Sequence, residues 1–287
     1  MKKITKKMKK VISPISMISP AVLWLVMFIV IPIGFIFFIS FMTKNVYGGY
    51  IHKLDLTVYL RFFNNRYLRI FGYSALIALA TTIISLLIGY PFAYIISTSS
   101  KRIRNLLLMA IMLPFWINSL IRTSGWITIL RLEGVANTIL QRLNIIQEPL
   151  KLLYTDGAVL FGMVYILFPF MVLPLYSSLE KLDPALLEAS SDLGARPHRT
   201  FLRVVLPQTL PGVFAGSIQV FVPSLGFFYI ADIMGGGKTI LIGNLIKNQF
   251  TIGRDWPFGA ALSIILVVLT LVLLRLYSKI GSMEDLA

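Results

Sequence analysis

EASSDLGARPHRTFLRVVLP, Glu188 to Pro207, is a polar island between two long apolar runs, and its reading decides how the rest of the chain is arranged. Asp183-Pro184, just upstream, is a helix-start signal. An Asp side chain can accept from free backbone N–H groups, and Pro fits the first helical position. Gly194 marks the stop, because a residue in the left-handed conformation closes the last carbonyls and Gly adopts it at little cost. The interval predicts a helix on the order of 15 Å long, a lever rather than a domain. A second start follows at Pro197, and Pro207 is expected to end or kink that helix. Arg196, Arg199 and Arg203 fall on one face of it, away from Phe201, Val204 and Val205.

Around this island the chain is apolar. Of 287 residues, 57% are hydrophobic and 14% charged, which excludes an ordinary soluble domain. Six uncharged stretches are long enough to cross a bilayer: Val11–Thr43, Ile70–Ser100, Asn105–Ile121, Gly157–Leu179, Val204–Ala231 and Trp256–Leu274. They predict one all-α polytopic membrane domain, residues 1–287, with spans at about 15–42, 70–98, 105–124, 157–179, 206–231 and 256–276. The shorter third and sixth stretches gain length if Arg122 and Arg275 snorkel. Prolines 32, 91, 169, 174 and 223 lie inside spans, as membrane helices tolerate when neighbours re-satisfy the freed carbonyls.

Orientation follows from charge. Lys2, Lys3, Lys6, Lys7, Lys9 and Lys10 precede the first apolar run, which is too long for a secretory signal. Basic residues are densest in the segments that this places inside, so both termini and the loop 183–207 are expected in the cytoplasm. The net charge of +15 sits at span ends and in loops, which excludes a nucleic-acid surface and points to membrane lipids. The chain has no cysteine, so disulfide and thiol chemistry are excluded.

Catalysis has no candidate constellation. Gly235-Gly236-Gly237-Lys238-Thr239 ends like a phosphate loop, but Asp232 stands where that loop needs its first Gly. These glycines read as a turn that needs positive φ. His52 and His198 lie in separate loops, and no metal-ligand spacing is present. The expectation is therefore no metal and no cofactor.

The spacing of the opening stretch resembles the signature loop of ABC importer permeases: Glu188-Ala189, Gly194 six residues after Glu188, then Val204-x-Leu206-Pro207. Ser190 replaces a usual Ala and Val204 a usual Ile. The fold that this resemblance implies is the type I ABC importer permease fold, with a cytoplasmic coupling helix that docks on an ATPase. The ATPase-coupling residues it implies are Glu188, Ala189, Ser190, Asp192, Leu193, Gly194, Ala195 and Arg196. PFWINSLIR (114–122), FPFMVLPLYSSLEKLD (168–183), FFYIADIMGGGK (227–238) and RDWPFGAA (254–261) narrow the resemblance to permeases of spermidine/putrescine importers, from about residue 70 onward. It implies a bacterial inner-membrane complex that works by alternating access. The partners would be a second permease subunit in a heterodimer, two copies of a cytoplasmic ATPase that bind the ATP and Mg, and a periplasmic or surface polyamine-binding protein.

For the substrate path the residues offer Trp116, Asn118, Tyr229 and Asp232. An ammonium stripped of water needs a carboxylate or an aromatic face. Each has another reading: Trp116 in an interfacial belt, Asn118 as interhelical glue, Asp232 as a cap on the glycine turn. Two other functions stay in view. A permease for another small solute, such as an amino acid, would share every coupling feature. A secondary transporter would need acidic or His relays within spans, and none of the six stretches contains one.

Overall fold

The computed structural model describes residues 18–284, with side chains as far as residue 276, so the lysine-rich head lies outside the described residues. The chain forms helices α1 (Ile18–Ile39), α2 (Asn65–Thr98), α3 (Lys101–Met112), α4 (Ser119–Leu130), α5 (Val135–Arg142) and α6 (Asp156–Leu179). There follow α7 (Pro184–Asp192), α8 (Pro197–Gly226), α9 (Phe228–Gly235), α10 (Ile242–Thr251) and α11 (Trp256–Glu284). Among the described residues, α1, α2, α6, α8 and the Trp256–Leu276 part of α11 are each long and apolar enough to span.

The third expected span, at 105–124, is not one helix. A single turn, Leu113–Trp116, follows α3, Ile117 is extended, and the segment Ser119–Arg142, α4 with α5, leaves at 96° to the incoming Lys101–Trp116. The cause is local. Pro114 starts the tight turn, and the Asn118 side chain accepts from Leu120 N at 2.8 Å, opening a new helix rather than continuing the old one. The fifth span also ends early, at Gly226 instead of Ala231, because Phe227 leaves helical geometry at φ −75°, ψ 75°.

Pro207 neither ends nor breaks its helix. A π turn, Phe201–Val205, widens the backbone just upstream and carries α8 past it. The same device precedes Pro32, where the π turn is Val26–Val30. A proline ring collides with the carbonyl four residues back, and one extra residue per turn moves that carbonyl aside.

The chain divides into two units. One joins the segment up to Asn64 with Asn248–Val268. It contains a small hairpin, β1 (Met42–Lys44) against β2 (Tyr50–Leu54), an addition to the expected all-helical fold. Its tip turns through Gly48 and Gly49 at positive φ. Asp255, 3% exposed, accepts from Arg61 at 2.9 Å and lies 3.7 Å from Lys44, while the Arg61 guanidinium covers the Phe258 ring. At the exposed start of the next turn, Thr57 donates twice to Asp55 and holds that carboxyl below its usual range.

The other unit joins Asn65–Lys247 with the segment from Leu269. Its core is where α2, α6 and α8 meet. Gly212 and Gly216, four apart on α8, let it approach the α6 backbone closely. A Cβ at Gly212 would stand 2.8 Å from the Pro174 carbonyl, and one at Gly216 3.0 Å from that of Met171. Small residues at this spacing are how membrane helices gain dispersion contact where no hydrophobic force pulls them together. Buried Thr81 and Thr82 donate to carbonyls four residues back, so their hydroxyls cost little in the apolar core.

Candidate functional site

Two polar assemblies stand out from this apolar body. The first is α7 with its flanks. Asp183 accepts from Ala185 N at 3.0 Å and Pro184 takes the first helical position. At the other end Ala195 N donates to the Ser190 carbonyl and Gly194 N to that of Ser191, with Gly194 at φ +71°. This pair of bonds is the Schellman closure, which needs a left-handed residue at that position. Arg196 then precedes Pro197 at the start of α8.

The two faces of α7 differ. Leu187 packs on the core cluster of α2, α6 and α8, and Ser190 is buried. The Ser190 and Thr200 hydroxyls lie 2.8 Å apart, so the residue that departs from the family's usual Ala ties α7 to α8. Opposite, Leu186, Glu188, Ala189, Asp192 and Leu193 are exposed, Leu193 at 87%. Leu186 and Leu193 are the large apolar side chains of that face, with the carboxylates Glu188 and Asp192 between them in sequence. Behind it, Phe201 meets Tyr90 edge-on at 5.4 Å, and the Tyr90 hydroxyl lies 2.6 Å from that of Thr209. A continuous run of contacts thus joins α7 to the middle of the spans.

The second assembly surrounds α9. Asn244, 2% exposed, donates to the Phe228 carbonyl at 2.9 Å and to Asp232 Oδ1 at 2.6 Å, and accepts from Leu241 N at 3.1 Å. The other Asp232 oxygen accepts from Lys247 Nζ at 2.5 Å, and that ammonium lies 5.6 Å from the centre of the Phe228 ring. The glycine turn closes with Gly236 and Gly237 at positive φ, as their sequence implied. Its fastening runs through Thr239, which donates to Asp156 at 2.6 Å, and through Tyr154 N, which donates to the Met234 carbonyl. Asp232 is therefore not the cap of that turn; its carboxylate points to α10.

The four substrate-path candidates fall into two pairs. Trp116, 89% exposed, and Asn118, spent on capping α4, stand at the break between α3 and α4. Tyr229 and Asp232 stand on α9, where Tyr229 adjoins the Phe228 ring. Sequence reasoning missed Thr200, Phe228, Asn244 and Lys247. Only Asn244 had a local signal, since Asn three residues after Leu241 can fold back on that N–H. A larger cavity, about 590 Å³, opens between α2, α3, α4 and α6, walled by residues such as Phe92, Ile111 and Phe161. Its one charge is Arg122, stacked near Phe115 and Tyr165, so a polycation would meet fixed positive charge there.

Comparison with known proteins bears on the family and the fold. Residues 85–281 match the family described as binding-protein-dependent transport system inner membrane component. The spermidine/putrescine transport system permease protein PotB of Haemophilus influenzae is 45% identical over 89% of this chain and 90% of its own. PotB of Escherichia coli is 44% identical over 91% and 95%. The inner membrane ABC transporter permease protein YdcU of Escherichia coli is 35% identical over 73% and 70%. Among solved structures, a chain of a bacterial ABC transporter that imports alginate superposes with a TM-score of 0.75 at 18% identity, over 98% of this chain and 99% of that one. A chain of the MetNI methionine transporter superposes with a TM-score of 0.53 at 17% identity, over 74% and 94%.

Proposed function

The chain belongs to the family of binding-protein-dependent transport system inner membrane components, and we propose that it is one of two permease subunits of an ATP-driven polyamine importer. The observation that carries the substrate class is the likeness to the spermidine/putrescine permeases along nearly the whole length of both chains. The chain is a multi-pass inner-membrane protein; in this reading both termini and α7 face the cytoplasm. Two copies of a separate ATPase bind ATP and Mg and hydrolyse the nucleotide. A sister permease completes the pore, and a periplasmic or surface binding protein delivers spermidine or putrescine.

The coupling role rests on α7. Its inner face is fixed to the body by Leu187 and by the Ser190–Thr200 contact, while Leu186, Ala189 and Leu193 remain exposed for an ATPase cleft. When the ATPases close, α7 moves as a rigid piece, because both its ends are capped and it is hydrogen-bonded to α8. The movement reaches the spans through Phe201, Tyr90 and Thr209. The polyamine path passes α9, where Tyr229 and Asp232 supply an aromatic face and a carboxylate. Trp116 and Asn118 shape the mouth at the break after α3.

The test is reconstitution. The four-component complex in proteoliposomes should take up labelled spermidine when ATP is supplied on the α7 side and loaded binding protein on the other. ATP-driven uptake of an amino acid with no uptake of either polyamine would overturn the substrate and keep the permease.

A further inference from the structure

We propose that Lys247 is a built-in competitor of the substrate: its ammonium occupies the site formed by the Asp232 carboxylate and the Phe228 ring, and an entering polyamine must displace it. The proposal rests on the polyamine reading above and assigns that reading a binding site and a regulator within this chain.

The chemistry of the pair motivates it. A lysine side chain is a four-carbon arm ending in an ammonium, the same arm that ends a putrescine. Here that arm lies with Nζ 2.5 Å from Asp232 Oδ2 and 5.6 Å from the Phe228 ring centre. A carboxylate combined with an aromatic face is what a partly dehydrated alkylammonium requires. The carboxylate is also aimed. Asn244, itself buried, fixes the far oxygen and the Phe228 carbonyl together, leaving the near oxygen to the cation. Both side chains of the pair are 34% exposed, so a soluble cation can reach what Lys247 holds.

The placement differs from that of a second carboxylate–cation pair with a ring beside it. Asp255, which binds Arg61 next to Phe258, is sealed at 3% exposure and serves packing. The Asp232 pair is open, with Lys247 on α10 and Asp232 on α9, the short helix that starts at the break at Phe227. Unwound backbone at a span's end is where membrane transporters place ligands.

An occupied site has a functional use. Free polyamine can bind only in the fraction of time that Lys247 is out, and its apparent affinity falls by that fraction. The tether keeps the local ammonium concentration in the millimolar range or above. Stray polyamine at low concentration is therefore excluded, while substrate released at high local concentration from a docked binding protein can compete. Because one ammonium replaces another, the site is never left as a bare carboxylate at the membrane boundary, and the incoming substrate is held weakly enough to move on.

The experiment measures equilibrium binding of labelled putrescine to the assembled complex in nanodiscs, without binding protein. Lys247→Met keeps most of the apolar arm and deletes the charge. It should bind putrescine about tenfold or more tightly than wild type, since the competitor is gone. The double variant Asp232→Asn/Lys247→Met should lose the whole gain. Should Lys247→Met not assemble, Lys247→Gln serves with the same expectation. Unchanged affinity in the assembled single variant would overturn the proposal, as would a gain that survives Asp232→Asn. ATP-driven spermidine uptake by the wild-type complex, measured in parallel, separates the two levels: uptake with no gain in binding removes the role of Lys247 alone, and no polyamine uptake removes the importer reading too.

Discussion

The hydroxyls of Ser190 and Thr200 lie 2.8 Å apart and join the exposed helix α7 to the long helix α8. Ser190 is buried, so its hydroxyl is costly without a partner, roughly 1–3 kcal/mol for an orphaned group. Thr200→Val should therefore reduce ATPase stimulation by the loaded binding protein while membrane insertion stays normal. The double variant Ser190→Ala/Thr200→Val should recover much of the loss, because no group is then left unpaired. Equal defects in the single and the double variant would show that the contact does not transmit coupling.

Gly194 makes a sharper demand. A Cβ there would meet nothing within 4 Å, so space is not the constraint; φ of +71° is. A branched residue forced to that angle costs roughly 1 kcal/mol or more, whereas Asn visits it readily. ATPase stimulation and transport should fall together in Gly194→Val and stay near wild type in Gly194→Asn. Equal damage from both would move the cause from backbone conformation to a contact made with the partner.

These two residues also mark what a sequence reveals. The ends of α7 were legible because capping is local: Asp183 and Gly194 act on backbone groups within three residues of themselves. The spans were legible because lipid demands an unbroken apolar run. The breaks at Ile117 and Phe227 were not, since hydropathy continues smoothly across both, and only Pro114 with Asn118 hinted at the first. The pairing of Asp232 with Lys247 was hidden for another reason. Fifteen residues and a glycine turn separate them, and no periodicity links α9 to α10 until the turn has folded. That Pro207 would not end its helix was hidden because a π turn can absorb a proline, and nothing in FLRVV announces one.

Asn244 holds three hydrogen bonds in a site that is 2% exposed. Asn244→Ala orphans the Leu241 N–H and takes the Asn244 donor from Asp232 Oδ1 and the Phe228 carbonyl, which should cost roughly 1–3 kcal/mol. Asn244→Asp should be worse, because it keeps the acceptor but sets a second carboxylate against Asp232. Thermal unfolding of the purified complex ranks the three proteins. An Asp variant as stable as wild type would contradict the assignment of Nδ2 as the donor to Asp232.

Asp255 anchors the unit that carries the hairpin. Asp255→Asn keeps the acceptor for Phe258 N but removes the charge between Arg61 and Lys44. Those cations are 43% and 45% exposed and can rehydrate, so the loss should be about 1–3 kcal/mol, below the usual cost of breaking a sealed pair. The readout is protease cleavage between residues 42 and 54, which should quicken in the variant and respond less to salt than in wild type. Identical cleavage rates would assign the hairpin's order to backbone pairing alone.

Orientation can be tested with single cysteines, because the chain has none to remove. The choice of positions follows from the structure. Ser190 is buried and hydrogen-bonded, but its neighbour Ala189 is exposed on the face of α7 assigned to the ATPase. At the other end Asn144 has φ +53°, which a cysteine would strain, whereas Gln147 is exposed in the same loop. An impermeant thiol reagent added to intact cells, with the outer membrane permeabilised where one is present, should label Gln147→Cys and spare Ala189→Cys until the inner membrane is opened. In the assembled complex Ala189→Cys should label more slowly than in the isolated permease, because the ATPase covers that face. Labelling of Ala189→Cys from outside would reverse the orientation, and with it the assignment of α7 as the coupling helix.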